Sequence, residues 1–144
     1  MRDTKRERMG EVHVKVRLSN ATDTELSEQG VLKADQVRSC DVDALVDTGA
    51  SRSVIPETVA EQLGLRIRRQ ATATLADGSR VPVGVSGAIR FEIEGRETLE
   101  DAYVLGDQVL IGQTVLESTD LLVDCTNRKV IPNPAHPEGP TFRI

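Results

Sequence analysis

The sequence predicts an all-β barrel or sandwich with one or two short helices. Three observations predict it. Val12, Val14, Val16 and Leu18 alternate with Glu11, His13, Lys15 and Arg17, the period of two that marks a half-buried strand. Asp77-Gly78 stands between two apolar-leaning arms, a strong hairpin signal. Short strand-like runs then follow one another to the end of the chain without the strand–long-helix rhythm of a parallel α/β fold.

Taken in order, the first strand is the alternating run from Val12. Residues 19–36 are polar and weakly patterned, a connection with no assignable element. Strand character returns from Val37 to Val46 and runs into Asp47-Thr48-Gly49. Pro56 to Gly64 reads as a short helix: proline suits a first turn, Val59 and Leu63 stack at i and i+4, and Gly64 can end it. The arms Ala71–Leu75 and Arg80–Val85 flank the turn Ala76-Asp77-Gly78-Ser79. Arg66-Ile67-Arg68-Arg69, just before them, reads as a solvated strand face. Ile89, Phe91 and Ile93 alternate with charged residues, and a Glu94-Gly95-Arg96 turn leads to a strand around Leu99–Leu105. Val109-Leu110-Ile111-Gly112 is a short apolar run, followed by about one helical turn from Gln113 to Glu117. Leu121–Asp124 and Val130-Ile131 form a last hairpin around Asn127. The tail beyond holds four of the six prolines and is expected to be solvated, either extended or disordered. Only three aromatic residues are present, so Val, Leu, Ile and Ala must fill the core.

A chain of 144 residues is one domain's worth and can bury a core without staples. The net charge of −5, with no basic stripe interleaved with aromatics, argues against a nucleic-acid partner. No apolar run reaches membrane-spanning length, and the charged start Met1–Arg8 lacks an apolar stretch behind it, so a cytoplasmic protein without a membrane partner is expected. Cys40 and Cys125 fit neither a disulfide framework nor a zinc pattern and read as reduced thiols packed in strands. With only His13 and His136 available, no metal site, no cofactor and no Ser-His or Cys-His pair is expected.

The chemistry concentrates in Ala44-Leu45-Val46-Asp47-Thr48-Gly49-Ala50-Ser51. An apolar run that ends on an ionisable carboxylate is costly unless that group is paired or used. A carboxylate can activate water as a general base if a second group supplies the proton needed by the leaving amine. Two facing aspartates do both jobs, because like charges that close cannot both ionise and so share one proton. Such a site needs rigid turns with small neighbours: Gly49 permits a close approach, Thr48 offers a hydroxyl to fasten one loop to another, and Ser51 one to bond back to the carboxylate. Against this, Asp-Thr-Gly alone is an ordinary strand-end turn.

Leu45–Ser51 followed by Val54-Ile55-Pro56 resembles the active-site loop of retropepsin-like aspartic proteases, the single-lobe relatives of pepsin found in retroviruses and in cellular and bacterial versions. The hairpin Ala76-Asp77-Gly78-Ser79 resembles their substrate-closing flap. The run ending in Ile111-Gly112 resembles the segment that packs behind the catalytic loop. The likeness implies the closed barrel of the acid-protease fold, one lobe per chain, over residues 9–131. Residues 1–8 are then a charged N-terminal extension and 132–144 a Pro-rich tail. It also implies that Asp47 is catalytic and that residues 48–51 form the active-site loop. One lobe supplies one aspartate. Leu122-Val123-Asp124 echoes the motif without its glycine and reads as a turn, so the second carboxylate is expected from another copy of the chain, in a two-fold homodimer acting on peptide segments. Two rival readings remain: a non-catalytic peptide-binding module of the same fold, and a small β-barrel adaptor whose flap-like hairpin is only an edge.

Overall fold

The computed structural model describes residues 10–144; the N-terminal extension at 1–8 lies outside the described residues. The chain runs β1 (His13–Asn20), α1 (Ala21–Glu28), a 3-10 turn (Ala34–Gln36), β2 (Ser39–Val46), β3 (Val54–Ile55), α2 (Glu57–Gln62), β4 (Ile67–Thr74) and β5 (Arg80–Ser86). It continues through β6 (Ile89–Ile93), β7 (Arg96–Glu100), β8 (Tyr103–Val104), β9 (Leu110–Ile111), α3 (Gln113–Thr119), β10 (Leu121–Asp124) and β11 (Lys129–Pro132). The all-β expectation holds. Nine strands form one sheet in the order β4-β5-β8-β3-β9-β2-β1-β6-β7, curled as a half-barrel, and β10–β11 form a separate hairpin.

The alternation read from Val12 to Leu18 places those four side chains in the core, while His13, Lys15 and Arg17 face outward. Across the strand pair, Ile89, Phe91 and Ile93 of β6 are also fully buried. Phe91 is the one aromatic residue of the core, which is otherwise aliphatic: Leu18, Ile55, Leu63, Ile111 and Val115 are shut off from solvent. Burial of such side chains contributes about 1.5–3 kcal/mol each, which makes the core, and not the surface ion pairs, the main source of stability.

Two segments differ from expectation. The polar stretch 19–36 contains α1, built on polar contacts that apolar periodicity does not reveal. Asn20 caps the helix, its Oδ1 accepting from Asp23 N at 3.0 Å while its Nδ2 donates to Leu63 O at 2.9 Å. Asp23 is buried, and its carboxylate accepts from Arg38 Nε, Nη2 and backbone N at 2.8, 2.9 and 3.0 Å. Hydrogen bonding from the Arg38 side chain holds the Asp23 carboxyl below its ordinary value, against the opposing effect of burial. A depressed folded-state pKa means that the stabilisation is present above the unfolded value, near 4, and is lost as pH falls through the folded one. Asp23→Asn should therefore lower the melting temperature by several degrees at neutral pH. The gap from wild type should close as the pH drops below about 4, as thermal melts over a pH series would show. The second difference is the strand expected around 99–105. It is broken at Asp101-Ala102 into β7 and β8, which pair with different neighbours, β6 and β5.

The tail is also not simply solvated. Asp120, in a left-handed conformation (φ 55°), accepts from Asn133 Nδ2 at 3.0 Å and lies 2.6 Å from His136 Nδ1. The buried Arg96 guanidinium donates to the carbonyls of Asp120 and His136. Residues 133–136 are thus strapped to the end of α3. Cys40 is half-buried in β2, as expected, whereas Cys125 is exposed in the turn between β10 and β11.

Candidate active site

The strand order places residues 47–53 at a crossing of chain segments. β2 pairs in parallel with β9 through Leu45–Leu110 and Val46–Ile111, and β9 pairs antiparallel with β3 at Val54. The chain therefore leaves β2, turns through 47–53 and returns as β3, while β9 threads between the two. Asp47 sits at the rim of this arrangement, half-buried at the end of β2.

Backbone hydrogen bonds fix the loop from within and from β9. Asp47 N donates to Ile111 O at 2.9 Å, and Ala50 N closes the turn onto Asp47 O at 3.1 Å. The start of α3 holds the far side: Gln113 N donates to Ala50 O at 2.8 Å and Thr114 N to Ser51 O at 3.0 Å. The Asp47 carboxylate accepts from Gly49 N at 3.0 Å, so the backbone amide makes the contact expected of the Ser51 hydroxyl. A carboxylate oriented by an amide, on a loop pinned at both ends, can act as a general base or acid on a group brought to it. Thr48 is exposed, with its hydroxyl outside these intrachain contacts.

Gly112 is where the segments meet most closely. A Cβ placed there would lie 2.5 Å from Arg52 C and 2.6 Å from Arg52 O. Its amide donates to the hydroxyl of Ser53 at 2.9 Å, and Ser53 is fully buried. Sequence reasoning singled out Ile111 and Gly112 but passed over Ser53. A lone serine entering the apolar run Val54-Ile55-Pro56 was the available signal, since a buried hydroxyl requires a partner. Arg52, also missed, pairs with Asp101 at the β7–β8 break.

The other predicted site segment, Ala76–Ser79, forms the turn of the β4–β5 hairpin and is exposed throughout. Leu75 N donates to Ser79 O at 2.8 Å, Gly78 N to Leu75 O at 2.9 Å, and Gly78 takes φ 86°, which glycine tolerates without strain. Asp77 Oδ1 accepts from the Ser79 hydroxyl at 2.6 Å and the Ser79 amide at 2.9 Å. These bonds are internal to the hairpin and leave the 47–51 loop separate from it. The Ser79 hydroxyl, and then its amide, hold the Asp77 carboxyl below the ordinary value. Ser79→Ala should return part of that shift, raising the Asp77 pKa toward the ordinary carboxylate value; an NMR titration of the Asp77 carboxyl carbon checks it.

Asp124, the echo of the motif, caps the last hairpin: its carboxylate accepts from Asn127 N at 3.1 Å and Asn127 Nδ2 at 2.9 Å. It is a turn residue. Among the described residues no three His, Cys, Asp or Glu side chains are grouped to hold a metal, and no helix is long and apolar enough to cross a membrane.

Comparison with known proteins agrees with this topology. Residues 36–118 match the model of the family described as "gag-polyprotein putative aspartyl protease". The retroviral protease-like domain of Ddi1 from Leishmania major is similar over 92% of this chain and 95% of that one, at 16% identity and a TM-score of 0.51, a likeness of fold. The foamy viral protease-reverse transcriptase aligns with 73% of this chain and 11% of its own, at 16% identity and a TM-score of 0.47. No curated protein matches. The family match spans more than half of the sequence and includes the Asp47 loop, β9 and most of α3, and the chain belongs to the gag-polyprotein aspartyl protease family.

Proposed function

We propose that the chain is an aspartic endopeptidase, active as a two-fold homodimer in which Asp47 of each copy supplies half of a catalytic pair. The observation that carries this reading is a single Asp-Thr-Gly loop held rigid by β9 and α3, with its carboxylate half exposed at the rim. The other aspartate of similar sequence context, Asp124, is engaged in its own turn. Family membership supports it further.

In the dimer the two Asp47 carboxylates share one proton and hold a water. The charged carboxylate takes a proton from that water as it attacks the peptide carbonyl, while the protonated one donates to the carbonyl oxygen. Collapse of the tetrahedral intermediate then passes a proton to the leaving amine. The substrate lies extended beneath the β4–β5 hairpins, bonded through its backbone like an added strand. Gly78 gives each hairpin tip the freedom to open and close.

The test is cleavage of a mixture of unstructured peptides over mildly acidic to neutral pH, with wild type and Asp47→Asn side by side. Cuts made only by wild type support the peptidase. Folded dimers of both proteins that cut nothing would leave a peptide-binding module.

A further inference from the structure

We infer that the outer face at the base of the β4–β5 hairpin is a docking groove for an acidic, extended polypeptide segment. Two concavities, of about 440 and 340 Å³, share Arg68 and Ala88 as a common wall. One reaches from Arg68 past Arg66 and Arg38 to the start of α1; the other continues past Arg69 to Asp101. The groove thus runs from the Asp101 pair of Arg52, beside the Asp47 loop, to the far end of β1.

Charge is strongly segregated along it. Arg38 is matched by Asp23, and Asp101 is shared between Arg52 and, at 4.0 Å, Arg69. Arg66 and Arg68 are exposed and have no ion pair among the described residues. Four guanidinium groups, those of Arg38, Arg66, Arg68 and Arg69, line the two concavities against the carboxylates of Asp23 and Asp101, an excess of two positive charges on a chain of net charge −5. The local backbone produces this clustering. The register of β4 against β5 shifts between Ile67 and Arg69, and such an irregularity turns neighbouring side chains toward one face. Arg68 and Arg69, adjacent in sequence, consequently line the same concavity.

The groove favours a polypeptide over a nucleic acid. Arginine forks pair two-to-two with carboxylates, and the unpaired Arg66 and Arg68 are two residues apart, the period of alternate side chains in an extended peptide. Single-stranded nucleic acid sites add aromatic platforms for the bases. None of the three aromatic residues lines either concavity. The occupant is an acidic stretch of a protein substrate outside the bond to be cut. Its identity as substrate rests on the proposed peptidase activity; the docking does not.

Fluorescence anisotropy of a labelled Glu-Ser repeat peptide against Asp47→Asn protein tests the groove without need of catalysis. Saturable binding is expected, weakened by added salt and reduced about tenfold or more in R66Q/R68Q. A Gln-Ser repeat should not bind. Arg68→Glu should weaken binding further than Arg68→Gln, and circular dichroism should show all variants folded. Equal binding of the Gln-Ser peptide, unchanged affinity in R66Q/R68Q, or tighter binding of a single-stranded RNA of equal charge would overturn the proposal. Acidic-peptide binding in this assay, together with wild-type protein that cleaves no peptide, would sink the peptidase and leave the groove standing.

Discussion

Replacing Asp47 with Asn is expected to cut peptide hydrolysis by about 10³-fold or more, since the carboxylate serves as both acid and base in the proposed cycle. The fold should survive. The side chain's one hydrogen bond within the loop is accepted at Oδ1 from Gly49 N, and an asparagine oxygen can accept it equally. The backbone bonds to Ile111 and Ala50 do not involve the side chain. Asp47→Ala removes that acceptor and should loosen the turn as well, so the two variants separate chemistry from loop geometry. Mixing provides a sharper test. If each active unit needs two Asp47 carboxylates, adding an equal amount of Asp47→Asn to a fixed amount of wild type, under exchange, leaves about half of the original activity: random pairing makes only about a quarter of the dimers wild type in a pool twice as large. A chain that works alone would keep all of it. Activity measured against the added variant, with subunit exchange confirmed by labelled protein, distinguishes the two curves.

The sequence made the strands legible wherever one face of a strand is buried. Val12–Leu18 and Ile89–Ile93 alternate because the sheet has a wet side and a dry side, and both were recovered with their inward residues. The helix α1 was invisible because it is fastened by polar groups: Asn20, Asp23 and Arg38 in a sequence of mean polar character give no apolar stripe. The docked tail was missed for the same reason, since Asp120 and Arg96 hold it and lie far from it in sequence. The break at Asp101-Ala102 was hidden because β7 and β8 are each strand-like, and only the change of partner separates them. At the site, Asp47 and Gly112 could be read from their motifs. Their meeting could not, because it depends on a parallel pairing of β2 with β9 that no local pattern encodes.

That meeting yields the second large effect: Gly112→Ala should destabilise the protein by about 3–5 kcal/mol, an overpacking term of about 1–3 kcal/mol plus about 2 kcal/mol for the partial loss of three hydrogen bonds. The backbone at Gly112 is extended (φ −90°, ψ 176°), so alanine is not excluded by conformation. The obstacle is space. The new Cβ would fall 2.5 Å from Arg52 C, 2.6 Å from Arg52 O and 2.9 Å from Ser53 N, all backbone atoms that cannot rotate aside. Relief requires β9 to move away from the 47–53 loop. That motion strains the bonds from Gly112 N to Ser53 Oγ, Gln113 N to Ala50 O and Thr114 N to Ser51 O, the same bonds that fix the Asp47 loop. Activity should therefore fall even below the melting point. Ser53→Ala removes one of these partners and leaves the Gly112 N–H unsatisfied, at about 1–3 kcal/mol. Gly95→Ala is the matched control: it has φ 76° and open space around its Cβ, so its cost is conformational alone, about 1–2 kcal/mol. Urea denaturation of the three variants should rank Gly112→Ala as the most destabilised. If it is no worse than Gly95→Ala, the segments are not packed as closely as described, and β9 is not what holds Asp47 in place.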